Sequence, residues 1–341
     1  MKIDTEKLET ILANAHKVTI ISHLNPDGDA LGSTTALHHY LKTCGIESRM
    51  VVPSEYAYTL RFLDAKGPDA IIIDKLQHEE AMKAMEQSDT IFCLDFNRLS
   101  RADALEPAIR ESKAVKVLID HHPEPEGDIF DLVYSRTDVS SASELLFWIL
   151  MNLRKTSRDI GRLPKKAAES LYIGMMTDTN NFSNTVFPST FEMASLLVKR
   201  GVNKDKLQEK VLSSYSFQRM RLMGHLLKDK MKFVPKHHAA YMILTNRAKR
   251  IYRFRQGDSE GFVNLALKAQ RVKISALFTE DYEGKFIRVS LRSKGKIDVN
   301  EFAKAYFNGG GHVNAAGGRL YMPIDDVPQY FEEALDKFYR A

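Results

Sequence analysis

The chain has 341 residues, of which 44% are hydrophobic and 27% charged, and a formal net charge of +5. That length predicts two domains, and the composition excludes disordered and fibrous classes. Two cysteines exclude a disulfide scaffold, and the short apolar runs exclude a secretion signal and a spanning helix, so a cytoplasmic location with no membrane association is expected.

In chain order, Val18-Thr19-Ile20-Ile21 reads as a strand, and His23-Leu24-Asn25-Pro26-Asp27-Gly28-Asp29 leads from it into a helix over 30–41. Short strands are expected over 49–52 and 69–73, then a helix over 79–87 and a strand over 90–94 that ends at Asp95. The next strand, over 115–119, ends at Asp120-His121-His122. A helix over 141–153 follows, with Ser140 or Ser141 as its cap and Glu144 completing it. Pro164 opens a helix over 165–176, which gives way to a turn at Thr177-Asp178-Thr179-Asn180-Asn181. A helix over 190–200 stops at Gly201, and a long helical segment over 207–227 follows. Beyond it the pattern predicts strands over 239–244, 272–279 and 285–291 and a final helix over 329–339. Strand–helix alternation predicts an α/β protein of two lobes, a mainly parallel N-terminal sheet and a smaller α/β C-terminal domain.

Three successive strand ends therefore deliver carboxylates or imidazoles, in the region where open α/β folds bind ligands. His23, Asp27, Asp29, Asp95, His121 and Asp178 have the composition of a centre for divalent cations, and imidazole among carboxylates favours manganese or iron over magnesium. Gly28 is expected to let the chain turn tightly between the two aspartates. Arg101, in preference to Arg98, follows Asp95 closely enough to add positive charge beside that centre. The stretch from Arg219 to Arg255 is rich in Lys and Arg and carries one acid, Asp229, which reads as a surface that attracts polyanions or as a solvated face. In Val289-Ser290-Leu291-Arg292-Ser293, strand alternation puts Ser290 and Arg292 on one side. The run Gly309-Gly310-Gly311 brings backbone amides close to an anion, His312 adds a donor, and the segment from Ala315 to Gly318 reads as a helix start.

The ordered set His23 to Ala30, Asp95, Asp120-His121-His122 and Asp178 resembles the four N-terminal motifs of the DHH phosphoesterase family. Gly309-Gly310-Gly311-His312 followed by Ala315-Ala316-Gly317-Gly318 resembles the C-terminal signature of the same family, its DHHA1 domain. The chain length resembles the two-lobed branch of oligoribonucleases that also dephosphorylate 3'-phosphoadenosine 5'-phosphate. This resemblance implies a catalytic domain over 1–205, a helical linker over 206–229 and a substrate-binding domain over 230–341. It implies two divalent cations, one on His23, Asp27, Asp95 and Asp178 and the other on Asp29, Asp95, His121 and Asp178. Asp95 and Asp178 would bridge them, His122 would lie near the phosphate and aid protonation of the leaving oxygen, and Asp120 would orient the histidine pair. Ser290, Arg292, His312 and the three glycines would hold the nucleotide. Where relatives have glycine after Asp-Thr, this chain has Asn180, which tolerates a left-handed backbone.

The implied partners are short single-stranded oligoribonucleotides or small phosphorylated nucleotides, and a homodimer is left open. Competing readings are a linear or cyclic dinucleotide phosphodiesterase and a noncatalytic nucleotide-binding regulator.

Overall fold

Six short, mostly apolar segments form the first sheet: β1 (Lys17–Ile21), β2 (Glu47–Val52), β3 (Ile71–Ile73), β4 (Thr90–Leu94), β5 (Val115–Asp120) and β6 (Leu132–Ser135). The structure is a computed structural model that describes residues 1–281 and 285–340. The strand order is β3-β2-β1-β4-β5-β6, and every pairing is parallel. Side chains alternate across the sheet. Ile20, Phe92 and Ile119 pack on one face against the helices Gly28–Thr43, Ala142–Asn152 and Lys165–Asp178, while Ile21, Cys93 and Leu118 pack on the other against the helices His78–Glu86 and Glu106–Glu111. Burial on both faces explains why these strands are nearly continuous apolar runs. The order reverses between β1 and β4, so a crevice opens at their carboxyl ends.

The chain divides into two units, Met1–Ser214 and Tyr215–Ala341. In the second, β7 (Lys232–Val234), β8 (Ala239–Leu244), β9 (Ile274–Glu280), β10 (Ile287–Ser293), β11 (Gly310–His312) and β12 (Ala315–Leu320) lie in the order β11-β12-β10-β9-β8-β7. Only the β8–β9 pairing is parallel. One face packs Ala276, Phe278, Val289 and Leu291 against the helices Val299–Tyr306 and Val327–Phe338. On the other, Met242 and Leu277 pack against the helices Phe217–His225 and Phe262–Leu267.

Three expectations are corrected. The segment over 207–227 is two helices, Lys204–Leu212 and Phe217–His225, because Ser216 turns extended and its hydroxyl accepts from Arg219 N to start the second. The helix over 165–176 continues through Asp178, so the predicted turn begins only at Thr179. The stretch from Ala315 to Gly318 is strand β12, not a helix start, because its backbone pairs with β10 and β11. The basic stretch is also not one continuous surface, since Arg219 and Lys249 are buried. Arg219 is sandwiched by the rings of Tyr215 and Phe262, at 3.5 and 4.9 Å. Both cysteines are free thiols, and among the described residues no helix is long and apolar enough to cross a membrane.

Candidate metal centre

After β1 the chain reaches His23, whose Nδ1 donates to the carbonyl of Leu24 at 2.9 Å, leaving Nε2 to point at Asp95 Oδ2, 3.4 Å away. Asp27 caps the helix Gly28–Thr43, its Oδ1 accepting from Asp29 N at 2.9 Å and Ala30 N at 3.1 Å. Gly28 is not a turn residue here but the first helical one, and its lack of a side chain admits Thr177. Gly32 and Gly174 let the helices Gly28–Thr43 and Lys165–Asp178 touch backbone to backbone. A Cβ on Gly32 would lie 2.8 Å from Gly174 N, and one on Gly174 would collide with Ser143 Oγ and lie 2.7 Å from Asp29 Oδ1. That close contact brings Asp178, at the end of one helix, level with Asp29, at the start of the other.

Asp95 follows β4 with φ +65°, a conformation uncommon for a residue with a side chain. Such strain clusters where a side chain must be aimed. Its second oxygen, Oδ1, is 3.4 Å from His121 Nε2, so the two oxygens of one buried carboxylate serve two imidazoles. His121 Nε2 is also 3.6 Å from Asp178 Oδ2 and 3.9 Å from Asp29 Oδ2. Donor atoms of His23, Asp27 and Asp95 lie within 4.8 Å of one another, as do those of Asp29, His121 and Asp178.

The electrostatics follow from this crowding. Burial alone raises the Asp95 carboxyl, but His121 and His23 outweigh it and hold it well below the usual carboxylate range. Burial disfavours a charged His121, yet Asp95, Asp178 and Asp29 push it up to about 10. Asp29 is driven well above its ordinary value by burial and by the nearby charges of Asp95 and Asp178. Four carboxylates with two imidazoles thus need positive charge among them, and Asp95 Oδ1 accepts no hydrogen bond despite full burial. The donor set fits divalent cations.

Asp120 ends β5 fully buried, and its two oxygens accept from His122 Nδ1 at 2.7 Å and His122 N at 3.1 Å. Arg101 NH1 donates to His122 Nε2 at 3.1 Å, so the imidazole is neutral with its proton on Nδ1. Burial and then Arg101 lower its pKa against the pull of Asp120. Arg98 is instead paired with Glu124, 3.3 Å away and exposed. Asn180 takes φ +47°, the left-handed geometry expected where relatives have glycine. Phe182 packs partly buried against the core and stacks on Phe191 at 5.5 Å.

Sequence reasoning missed the seat of Asp29. Its Oδ2 accepts from Ala142 N at 2.7 Å and its Oδ1 from Ser143 N at 2.9 Å, at the N-terminus of the helix Ala142–Asn152. Ser141 caps that helix as expected, its hydroxyl accepting from Glu144 N at 2.9 Å. Glu144 does not bond back to the cap residue. Its Oε2 accepts from Ser140 N at 2.9 Å, Ser140 Oγ at 2.6 Å and Thr190 Oγ1 at 2.7 Å, tying the seat to the helix Pro188–Lys199. The run Ser140-Ser141-Ala142-Ser143 was the available signal, small residues opening an apolar helix where a carboxylate must approach.

In the second unit, strand register puts His312, Ala315 and Arg292 in one row and Gly310, Gly317 and Ser290 in the next. All six are half-buried while Leu291 and Ala316 are buried, so the rows share one face. Arg292 and His312 stand about 9.5 Å apart across this floor, two strand spacings. The amide cradle expected of the glycines is mostly spent within the unit. Gly309 N donates to Ala303 O at 3.3 Å and Gly311 N to Asn300 Oδ1 at 2.9 Å. These glycines instead admit close backbone, since a Cβ on Gly311 would lie 2.5 Å from Ala315 O and one on Gly309 would overlap Gly317 O.

A parallel sheet that carries clustered carboxylates and imidazoles at its switch point, joined to a second α/β unit, defines a hydrolytic phosphoesterase that uses divalent cations. More narrowly, the chain belongs to the DHH family: residues 17–175 match the DHH family N-terminal domain and residues 247–341 the DHHA1 domain. It is 36% identical to an exopolyphosphatase-related protein from Bacteroides fragilis, with a TM-score of 0.88 covering 98% of this chain and 95% of that one. A probable bifunctional oligoribonuclease and PAP phosphatase, NrnA, from Streptococcus mutans is 29% identical over 95% of this chain and 97% of its own. RecJ from Thermus thermophilus, solved with Mn2+, shares the fold at 16% identity and a TM-score of 0.57, covering 99% of this chain and 54% of RecJ.

Proposed function

We propose that the protein hydrolyses short oligoribonucleotides to nucleoside monophosphates and 3'-phosphoadenosine 5'-phosphate to AMP and phosphate, using two manganese ions. One ion would sit on His23, Asp27 and Asp95 and the other on Asp29, Asp95, His121 and Asp178. The observation that carries this reading is the division of Asp95, one oxygen toward His23 and one toward His121. Asp178 groups with Asp29 and His121, which favours Asp95 as the shared ligand. The substrate choice is supported by the likeness to NrnA.

Two divalent ions supply an activated water and stabilise both ends of an in-line displacement at phosphorus. Arg101 is the protein's own cation for the phosphate, and a guanidinium can hold two of its oxygens at once. His122, fixed by Asp120, aims Arg101 through Nε2. With its proton on Nδ1, it is better suited to that task than to giving a proton to the leaving oxygen. Ser290, Arg292 and His312 line the sheet face of the second unit on which a nucleotide phosphate would lie.

The test is product analysis with Mn2+ on oligoribonucleotides of defined length, 3'-phosphoadenosine 5'-phosphate, pApA and cyclic di-AMP. Release of mononucleotides from the oligomers and of AMP from the bisphosphate is expected, and Asp95→Asn should fall to background with its circular dichroism unchanged. Turnover confined to pApA or cyclic di-AMP would replace this reading by the dinucleotide one. Nucleotide binding without phosphate release under any metal would make the protein a regulator.

A further inference from the structure

Just beyond Asp178 the backbone is left-handed at three successive residues, Asn180, Asn181 and Phe182, with φ +47°, +54° and +63°. Asparagine tolerates that conformation, but for a bulky phenylalanine it is strained. Hydrogen bonds enforce it. Asn181 N donates to Met176 O at 2.7 Å, and Phe182 N donates to Thr179 Oγ1 at 3.0 Å. The turn therefore folds back and keeps Phe182 next to the helix end that carries Asp178. Phe182 is the inner ring of a pair. It packs against the core of the first unit, and the Phe191 ring lies over it with centroids 5.5 Å apart and planes 14° from parallel. Phe191, the outer ring, is 54% exposed.

Phe191 is tied to the same centre by a different route. It follows Thr190, which is buried and whose hydroxyl donates to Glu144 Oε2 at 2.7 Å. Glu144 also holds Ser140, at the helix start whose Ala142 and Ser143 amides seat Asp29. Each ring is thus one short connection from a proposed metal ligand, Phe182 from Asp178 and Phe191 from the seat of Asp29. A single exposed aromatic is ordinary. Core packing accounts for Phe182, but it does not require a ring at 191, where the side chain buries little. A nucleobase presents a flat π face whatever its identity, and a fixed aromatic ring holds it by stacking alone. Because both ends of the pair are already pinned, little ordering is left for binding to supply. We propose that Phe191, backed by Phe182, is the base-stacking platform for the nucleotide whose phosphate lies at the metal centre. The inference rests on the nucleotide phosphoesterase reading above. It adds how the site separates nucleotides from other phosphate esters while accepting any base.

The experiment uses the full chain with Mn2+ and two substrates, 3'-phosphoadenosine 5'-phosphate and the same ribose bisphosphate with hydrogen in place of adenine. Phe191→Ala should raise KM for the first by roughly 10-fold. Its kcat should hold, because stacking is alike in ground and transition states, and both constants should be unchanged for the second substrate. Phe191→Trp should keep the wild-type KM. Its indole emission, read against that of the single, buried Trp148, should be quenched by each of the four nucleoside monophosphates and not by ribose 5-phosphate. A KM raised equally for both substrates would make Phe191 a structural residue and overturn the platform, as would an unchanged KM for the adenine compound. Absence of quenching by the nucleotides overturns it as well. Should the wild-type protein turn over no nucleotide, the quenching decides alone: if it occurs, the platform stands and the phosphoesterase reading fails.

Discussion

Asp95 shows how one side chain is made to serve two partners. Its left-handed backbone turns the carboxylate into the crevice, and burial denies both oxygens water. Gly174 makes the complementary contribution by absence, because a methyl group there would occupy space used by Ser143 and Asp29. Gly174→Ala should therefore cost about 1–3 kcal/mol of stability through overpacking. It should also weaken Mn2+ binding by roughly 10–100-fold, as loss of a ligand's support does. Denaturant unfolding and calorimetric metal titration check the two effects, and an unaltered metal affinity would show that Asp29 needs no such fit. The candidate ligand types were legible in the sequence because Asp and His recur in order after successive strand-like segments, a combination that no one of them carries alone. Gly174 was not, because its partner Asp29 lies far away along the chain and meets it only when two helices pack.

At the scale of elements, the helix Gly28–Thr43 joins the site to the periphery. Its first turn carries Asp29, while His38 and His39 stand near its other end. Burial lowers His38, whose Nδ1 bonds Ser48 Oγ at 2.8 Å. Burial, then His38 and Lys166, bring His39 down to about 4. An unfolded histidine binds its proton near pH 6.5, so between that value and about pH 4 the unfolded chain holds more protons than the folded one. The stabilising effect of neutral His39 is present above pH 6.5 and lost as pH falls toward 4. The thermal midpoint should accordingly drop across that interval, and His39→Gln should flatten part of the drop. Identical pH profiles for the two proteins would show that His39 is not held neutral. The helix itself was expected from its apolar positions, but its role as a partner of Lys165–Asp178 depends on small residues that carry no periodic signal.

For the whole molecule, the chain divides into two units, Met1–Ser214 and Tyr215–Ala341. The proposed ions would bind only the first unit, in which all six proposed ligands lie. At a Mn2+ concentration about 100 times the dissociation constant, binding stabilises that unit by about 2.7 kcal/mol, or about 5–10 °C for its size. Differential scanning calorimetry should show that transition falling on chelation while a transition of the second unit stays in place. Two transitions that move together, or neither, would count against metal confined to the first unit.

The sequence alone determined the alternation of elements, the three strand ends bearing Asp and His, and the membership of a two-unit phosphoesterase family. Those features are local: a strand's hydrophobicity, a proline or glycine, and a short motif can each be read from neighbours in the chain. Tertiary structure decided which oxygen of Asp95 meets which imidazole, that Asp29 rests on the amides of Ala142 and Ser143, and that the glycines near His312 admit backbone. Each of these joins residues distant in sequence, and their meeting is set by strand order, register and the closeness of two helices rather than by any pattern within one segment.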